Sequence, residues 1–183
     1  MKKRIIQLST LAIAGFLMIS CVQPESETTE KAPSAETEVE GVDLNLEYRD
    51  FGNEPFVFNI EDYTRQNDTY RTVLWTGEYM QLTVMSLLPG EDIGLEIHDD
   101  HDQFIRVEAG EGIVKMGDTK DDLSFQQRVE DDFAIMIPAG KWHNVENDTD
   151  KPLKIYSIYA PREHNPNTVH KNKEEAMADE HDH

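Results

Sequence analysis

Gly90-Glu91-Asp92-Ile93-Gly94-Leu95-Glu96-Ile97-His98-Asp99-Asp100-His101-Asp102-Gln103-Phe104-Ile105-Arg106-Val107-Glu108-Ala109-Gly110 and Pro138-Ala139-Gly140-Lys141-Trp142-His143-Asn144-Val145-Glu146-Asn147 are the stretches whose reading decides the fold. Ile93 to His98 reads as a strand, and alternate residues of a strand share a face, so Glu96 and His98 project together. Gln103 opens the next strand, and a tight connection from Asp99 to Asp102 brings it alongside. Pro138 and Gly140 suit a turn. That turn delivers His143 at the start of a distant strand, closing a cluster of side chains from several strands as a barrel interior allows.

Both stretches resemble the two short motifs of the cupins. In the first motif, Gly and five residues lead to His-x-His, then three or four residues to Glu and six more to Gly. Here Gly90, Glu96-Ile97-His98, Gln103 and Gly110 keep that spacing. In the second, Gly and five residues lead to Pro-x-Gly, then two residues to His and three to Asn; Pro138-Ala139-Gly140, His143 and Asn147 match it. Three identities depart from the pattern: Glu96 replaces the first His, Gln103 replaces Glu, and Asp132 replaces the leading Gly of the second motif. Thr72-Val73-Leu74-Trp75-Thr76-Gly77 and Leu153 to Pro161 are further similar to a subgroup of short, single-domain bacterial cupins, over about Tyr70 to Lys173.

The resemblance implies an all-β fold, a single jelly-roll barrel (double-stranded β-helix), and a divalent metal held by Glu96, His98, Gln103 and His143. The usual set of three imidazoles and one carboxylate becomes two imidazoles, one carboxylate and one amide oxygen, with the ligand charge kept at one negative. Gln103 would ligate or orient a bound water. Without it, two His and one carboxylate form the triad that suits non-haem Fe(II). More oxygen and less nitrogen also admits Mn(II), and Zn(II) stays open. His101 sits in Asp99-Asp100-His101-Asp102, which reads as a solvated charged turn.

Outward from the motifs, short β-rich runs alternate with Gly and Pro turns: Tyr70 to Trp75, Tyr79 to Leu88, Gln103 to Glu108, Gly112 to Met116, Leu123 to Val129, Phe133 to Ile137, Trp142 to Glu146 and Leu153 to Tyr159. That spacing argues for a barrel or sandwich. Phe56 to Ile60 reads as a first strand, and Lys171 to Ala178 as a short helix in a polar C-terminal tail (166–183) behind a barrel domain at 46–165.

The N-terminal end is different. Residues 1–20 carry Lys2, Lys3 and Arg4 before an apolar run, which is the pattern of an export signal too short for a comfortable membrane span. Leu17-Met18-Ile19-Ser20 before the single cysteine, Cys21, resembles a lipobox and implies lipidation at Cys21; an ordinary signal peptide with a leftover thiol is the alternative. Residues 21–45, rich in Glu, Ser, Thr and Pro, read as an acidic tether with too little apolar surface to fold. The expected location is a bacterial membrane, the outer one by preference, with the domain facing the periplasm or the exterior.

A net charge of −20, more negative still without the three N-terminal cations, repels nucleic acid and anionic lipid headgroups. Expected partners are a small molecule, the membrane through the lipid anchor only, and a second copy in a homodimer. Two functions fit: a metalloenzyme of isomerase or dioxygenase type acting on a small polar molecule, carbohydrate- or organic-acid-like, or a binding and sensing module whose metal is structural or absent. The sequence nominates no catalytic base; Tyr159 and Arg106 are polar strand residues of unfixed facing.

Overall fold

The structure, a computed structural model, describes residues 45–180; Cys21, segment 1–20, nearly all of the tether and His181 to His183 lie outside the described residues. Two antiparallel sheets stack face to face. One has the order β6-β3-β8-β2-β1-β9 and the other β5-β4-β7. The strands are β1 Arg71–Thr76, β2 Gln81–Leu87, β3 Asp102–Ala109, β4 Glu111–Gly117, β5 Phe125–Glu130, β6 Ala134–Ile137, β7 Trp142–Glu146, β8 Leu153–Ala160 and β9 Val169–His170; the helices are α1 Ile60–Gln66 and α2 Lys173–Glu180. This is the expected all-β jelly roll, with the short helix present near the C-terminus.

Inward-facing rows of neighbouring strands are in register, and this grades the interior. At one end Leu87 and Met85 of β2 face Leu153 and Ile155 of β8, Ile155 faces Val107 of β3, and Val145 of β7 faces Val114 of β4. These residues form a buried apolar cluster, and their removal from water supplies most of the stabilisation. Further along the same strands the inward row turns polar together. Thr83 and Gln81 face Ser157 and Tyr159, Tyr159 faces Gln103, and Met116 faces His143. One end of the barrel is therefore a greasy plug and the other a polar chamber.

β1 and β2 lack alternation because both of their faces are covered. Leu74 and Val84 pack outward against Tyr63 of α1, with Tyr48, Phe51, Phe56 and Phe58 completing a second cluster. Phe56 to Ile60 was expected to be a strand and is not. Asn59 caps α1, its Oδ1 accepting from Glu61 N at 3.1 Å, and a Glu61–Arg65 pair at 2.9 Å supports the roughly two turns that follow. The phenylalanines ahead of the cap stack on one another, Phe51 on Phe56 at 3.9 Å and Phe56 on Phe58 at 4.4 Å. Burying those rings on the sheet outweighs any strand preference of the run.

Two motif positions have a backbone explanation. Gly110 has φ +85°, and a Cβ there would lie 2.4 Å from Pro152 O, so the β3–β4 crossover between sheets admits no side chain. Asp132, where the family pattern has Gly, has φ 71°. Asp tolerates this left-handed region better than most residues, at about 1–2 kcal/mol, and here its carboxylate pairs with Arg106. The turn survives the substitution.

Residues 166–180 are part of the body. β9 pairs with β1 through Arg71–His170 and Thr72–Val169, and Ala176 of α2 is buried in the main apolar cluster.

Candidate metal centre

The Gly90–His98 segment forms no ladder strand, contrary to the expectation for Ile93 to His98. It runs as extended chain beside β7, held by scattered bonds: Gly90 N to Asn147 O at 2.9 Å, Ile93 N to Val145 O at 3.1 Å, and the pair Glu96 N to His143 O and His143 N to Glu96 O at 3.1 and 2.9 Å. Gly94, with φ +97°, interrupts the pleat. The reciprocal pair at Glu96 and His143 ties the two motifs together where their side chains matter. Gly140 N donates to His98 O at 2.7 Å and Ala139 N to Asp102 Oδ1 at 2.9 Å, so the Pro138-Ala139-Gly140 turn clamps the other end of the first motif. Asn147 is a brace: fully buried, it donates to Leu87 O and Lys151 O at 2.9 and 2.7 Å.

All four residues expected as ligands meet in the polar chamber. His143, 0% exposed, places Nε2 at 3.2 Å from Glu96 Oε1 and 2.9 Å from Gln103 Oε1, while His98 Nε2 lies 3.4 Å from the same Glu96 oxygen. Orientations are set from behind. His143 Nδ1 donates to Lys141 O at 2.9 Å, which in the neutral ring leaves the Nε2 lone pair facing the cluster. Ser157 Oγ, 3.3 Å from Phe104 O, donates there and accepts from Gln103 Nε2 at 2.9 Å. The amide is thereby fixed with its carbonyl oxygen toward His143 and Glu96. Three acceptor atoms converge on one point, and either a proton or a cation must hold them together. Glu96, His98 and His143 have ligand atoms mutually within 4.8 Å, so the donor set fits a divalent ion.

Charge follows from this arrangement. Burial disfavours ionisation of Glu96, but bonds from His143 and His98 and the positive field of Arg71 outweigh it and hold the carboxyl far below the usual range. Burial opposes a charge on His98, yet Glu96 and Glu163 raise its pKa overall. Tyr159 faces inward, its ring 5.8 Å from that of His98, and burial together with Glu96 keeps its phenol protonated far into the alkaline range. It serves as a wall of the chamber. Arg106 points away, bonded to Glu108 at 2.8 Å and to Asp132.

His101 corrects the sequence reading. It is 6% exposed, its ring stacked on His98 at 4.4 Å and flanked by Asp100 at 2.8 Å and Glu163 at 3.4 Å. His98, His101 and Glu163 form a second group with metal-ligand proximity. His98 belongs to both groups, Nε2 facing Glu96 and Nδ1 lying 3.6 Å from Glu163. Glu163 thus stands beside both rings, 3.6 Å from His98 Nδ1 and 3.4 Å from His101 Nε2.

The residues sequence reasoning missed lie beside this cluster. A cavity of about 490 Å³ is lined by Glu96, His98, Arg71, Glu163, His164 and His170, among others. Arg71 was visible as a cation inside an otherwise apolar run. Nothing marked the other three.

Comparison with known proteins agrees with this architecture. A family model described as "Cupin domain" matches residues 83–159. The chain is 59% identical over 138 residues to the uncharacterized protein YrkC of Bacillus subtilis (strain 168), covering 75% of this chain and 74% of that one. The chain belongs to the cupin family. A second relative of this cupin, the uncharacterized protein L612 of Acanthamoeba polyphaga mimivirus, is 41% identical over 118 residues, 64% of this chain and 72% of its own. The crystal structure of BH2720 from Bacillus halodurans superposes with a TM-score of 0.70 at 58% identity, over 71% of this cupin and 98% of that chain. None of these relatives carries a named activity.

Proposed function

We propose that this cupin holds one divalent metal ion on Glu96, His98, Gln103 and His143 and uses it to bind, and in the enzymatic case transform, a small polar molecule in the adjoining cavity. The observation that carries the proposal is the locked Gln103 amide. Its oxygen is turned by Ser157 toward an imidazole lone pair and a carboxylate, an arrangement that costs free energy unless a positive species is shared among them. Fe(II) or Mn(II) fits the mixed nitrogen and oxygen set better than softer ions. Bound there, such an ion would supply Lewis acidity toward a carbonyl or hydroxyl oxygen, and in the case of Fe(II) one-electron chemistry as well.

The chain's own residues do the rest. Lys141 O fixes the His143 tautomer, Glu163 places a carboxylate beside His98, and the buried Tyr159 ring limits the chamber. Isomerisation and dioxygen chemistry are the reaction classes open to this set. Binding without turnover is the second reading, favoured by one observation: the phenol of Tyr159, whose ring lies 5.8 Å from that of His98, is held protonated and is a poor general base. We further propose that the domain is displayed from a lipidated Cys21 on a bacterial membrane, in line with the lipobox-like segment.

Calorimetric titration of the chelator-stripped full chain with Mn(II), and with Fe(II) under argon, tests the metal. One equivalent per chain is expected, and absence of saturable binding by both ions would refute the proposal.

A further inference from the structure

His98 turns its two ring nitrogens toward two different sets of groups. On the outer side one oxygen, Glu163 Oε2, lies 3.6 Å from His98 Nδ1 and 3.4 Å from His101 Nε2, and the three residues have ligand atoms mutually within 4.8 Å. His101 is 6% exposed, and its Nε2 is a buried atom with no hydrogen-bond partner in the protein. Its other nitrogen, Nδ1, faces Asp100 Oδ1 at 2.8 Å. A proton on Nδ1 donated to Asp100 leaves the Nε2 lone pair facing the Glu163 carboxylate, acceptor against acceptor. An imidazolium would relieve this, but a charge-assisted N–H···O bond is about 2.7–2.9 Å long, well short of the distance to Glu163. In a tetrahedral ion with bonds near 2.1 Å, neighbouring ligand atoms stand about 3.4 Å apart. The outer spacing is too wide for hydrogen bonds and right for a coordination shell.

We propose that His98, His101 and Glu163 hold a second divalent ion, Zn(II) or Cu(II), and that His98 bridges it to the inner ion as an imidazolate. Two imidazoles and one carboxylate are a zinc donor set that leaves a fourth position open. Glu163, whose side chain is 36% exposed and lines the cavity, gives the ion a way in. Asp100 on His101 Nδ1 is the outer carboxylate that orients a ligating ring. Binding needs one local change. The His98 and His101 rings are stacked, with centroids 4.4 Å apart and planes at 22°, so His101 must turn about its Cβ–Cγ bond to aim its lone pair at the ion. Asp100, 81% exposed, can follow it. The bridge forms by replacement: the proton on His98 Nδ1 leaves to solvent, and the lone pair it frees binds the outer ion. Two divalent ions are then matched by four negative charges, on Glu96, Glu163, the imidazolate and Asp100. Zn(II) and Cu(II) are assigned here because imidazole binds them more strongly than Mn(II) or Fe(II). The bridge rests on the inner metal proposed above, whereas the outer site stands without it, on the neutral His98 ring.

The test titrates chelator-stripped full-length protein with Zn(II) and counts tight equivalents by calorimetry and by elemental analysis after desalting. The parent should hold one equivalent more than His101→Leu, one more than Glu163→Gln and one more than His143→Ala. It should hold two more than a double variant that joins His143→Ala to either outer change. If His101→Leu does not fold, the nearly isosteric Glu163→Gln decides. Parent and outer variants with equal zinc overturn the outer site and leave the inner one standing. Outer variants one equivalent short beside an unchanged His143→Ala support the outer site and sink the inner-metal reading. A double variant only one equivalent short of the parent means a single shared site and overturns the proposal. Cu(II) tests the bridge, because two coppers joined by an imidazolate couple their spins. The paramagnetic resonance signal per copper should be lower in the doubly loaded parent than in His101→Leu, and an equal signal overturns the bridge.

Discussion

Exchanging Gln103 for glutamate probes the centre without changing its shape. The side chain is 3% exposed, and its oxygen and Glu96 Oε1 both touch His143 Nε2, at 2.9 and 3.2 Å. Gln103→Glu therefore puts two carboxylates within about 6 Å of each other. At an effective dielectric near 20 and a separation of about 5 Å, their repulsion is about 3 kcal/mol. Ser157 Oγ must also turn from Phe104 O to donate to the new carboxylate. The metal-free variant should melt roughly 6–12 °C below the parent, at about 2–4 °C per kcal/mol for a domain of this size. A divalent ion reverses this, since two carboxylates neutralise it. The melting shift on adding Mn(II) should thus be several degrees larger for Gln103→Glu than for the parent, read by scanning calorimetry. The sign with pH follows: repulsion raises a carboxyl pKa in the folded state, so the metal-free penalty appears as pH rises above about 4.3 and vanishes below it. Equal metal shifts in the two proteins would mean that Gln103 is not a ligand.

Three other outcomes follow. Ala176→Asp places a charge in the apolar cluster under α2 and should cost at least about 2 kcal/mol, a drop of several degrees in Tm; an unchanged Tm would show that the C-terminal helix does not dock. Glu96, whose pKa falls on folding, contributes stability above about pH 4.3 that is lost as pH falls through the folded value. The stability gap between metal-free parent and Glu96→Gln, measured by urea unfolding, should therefore narrow as pH drops below about 4, and a gap that widened instead would contradict the ion-paired cluster. Cys21→Ser should move the protein from the membrane fraction to the soluble fraction, and continued retention would refute lipid anchoring.

The barrel and the four cluster residues were legible because a jelly roll brings two local motifs together at fixed spacing, and Glu96 to Gln103 and Pro138 to His143 keep that spacing despite changed identities. Asp132 looked like a departure, yet its φ of 71° is the left-handed conformation that favours glycine. His101 was misread because three neighbouring aspartates signal solvent, while Glu163, the group that encloses it, lies 62 positions away. Arg71, His164 and His170 enter from β1, the chain after β8, and β9, outside either motif, and only tertiary contact gathers them. Phe56 to Ile60 shows the competition in the other direction: the Asn59 cap and the Glu61–Arg65 pair were readable signals, hidden by an alternating aromatic run.

The central claim is that His143 ligates a resident metal. It is tested most directly by elemental analysis of the full-length parent and His143→Ala, each reconstituted with Mn(II) and desalted. The account predicts about one Mn per parent chain, at least about tenfold less in the variant, and an unchanged β-rich circular dichroism spectrum. Equal metal content in the two proteins would contradict it.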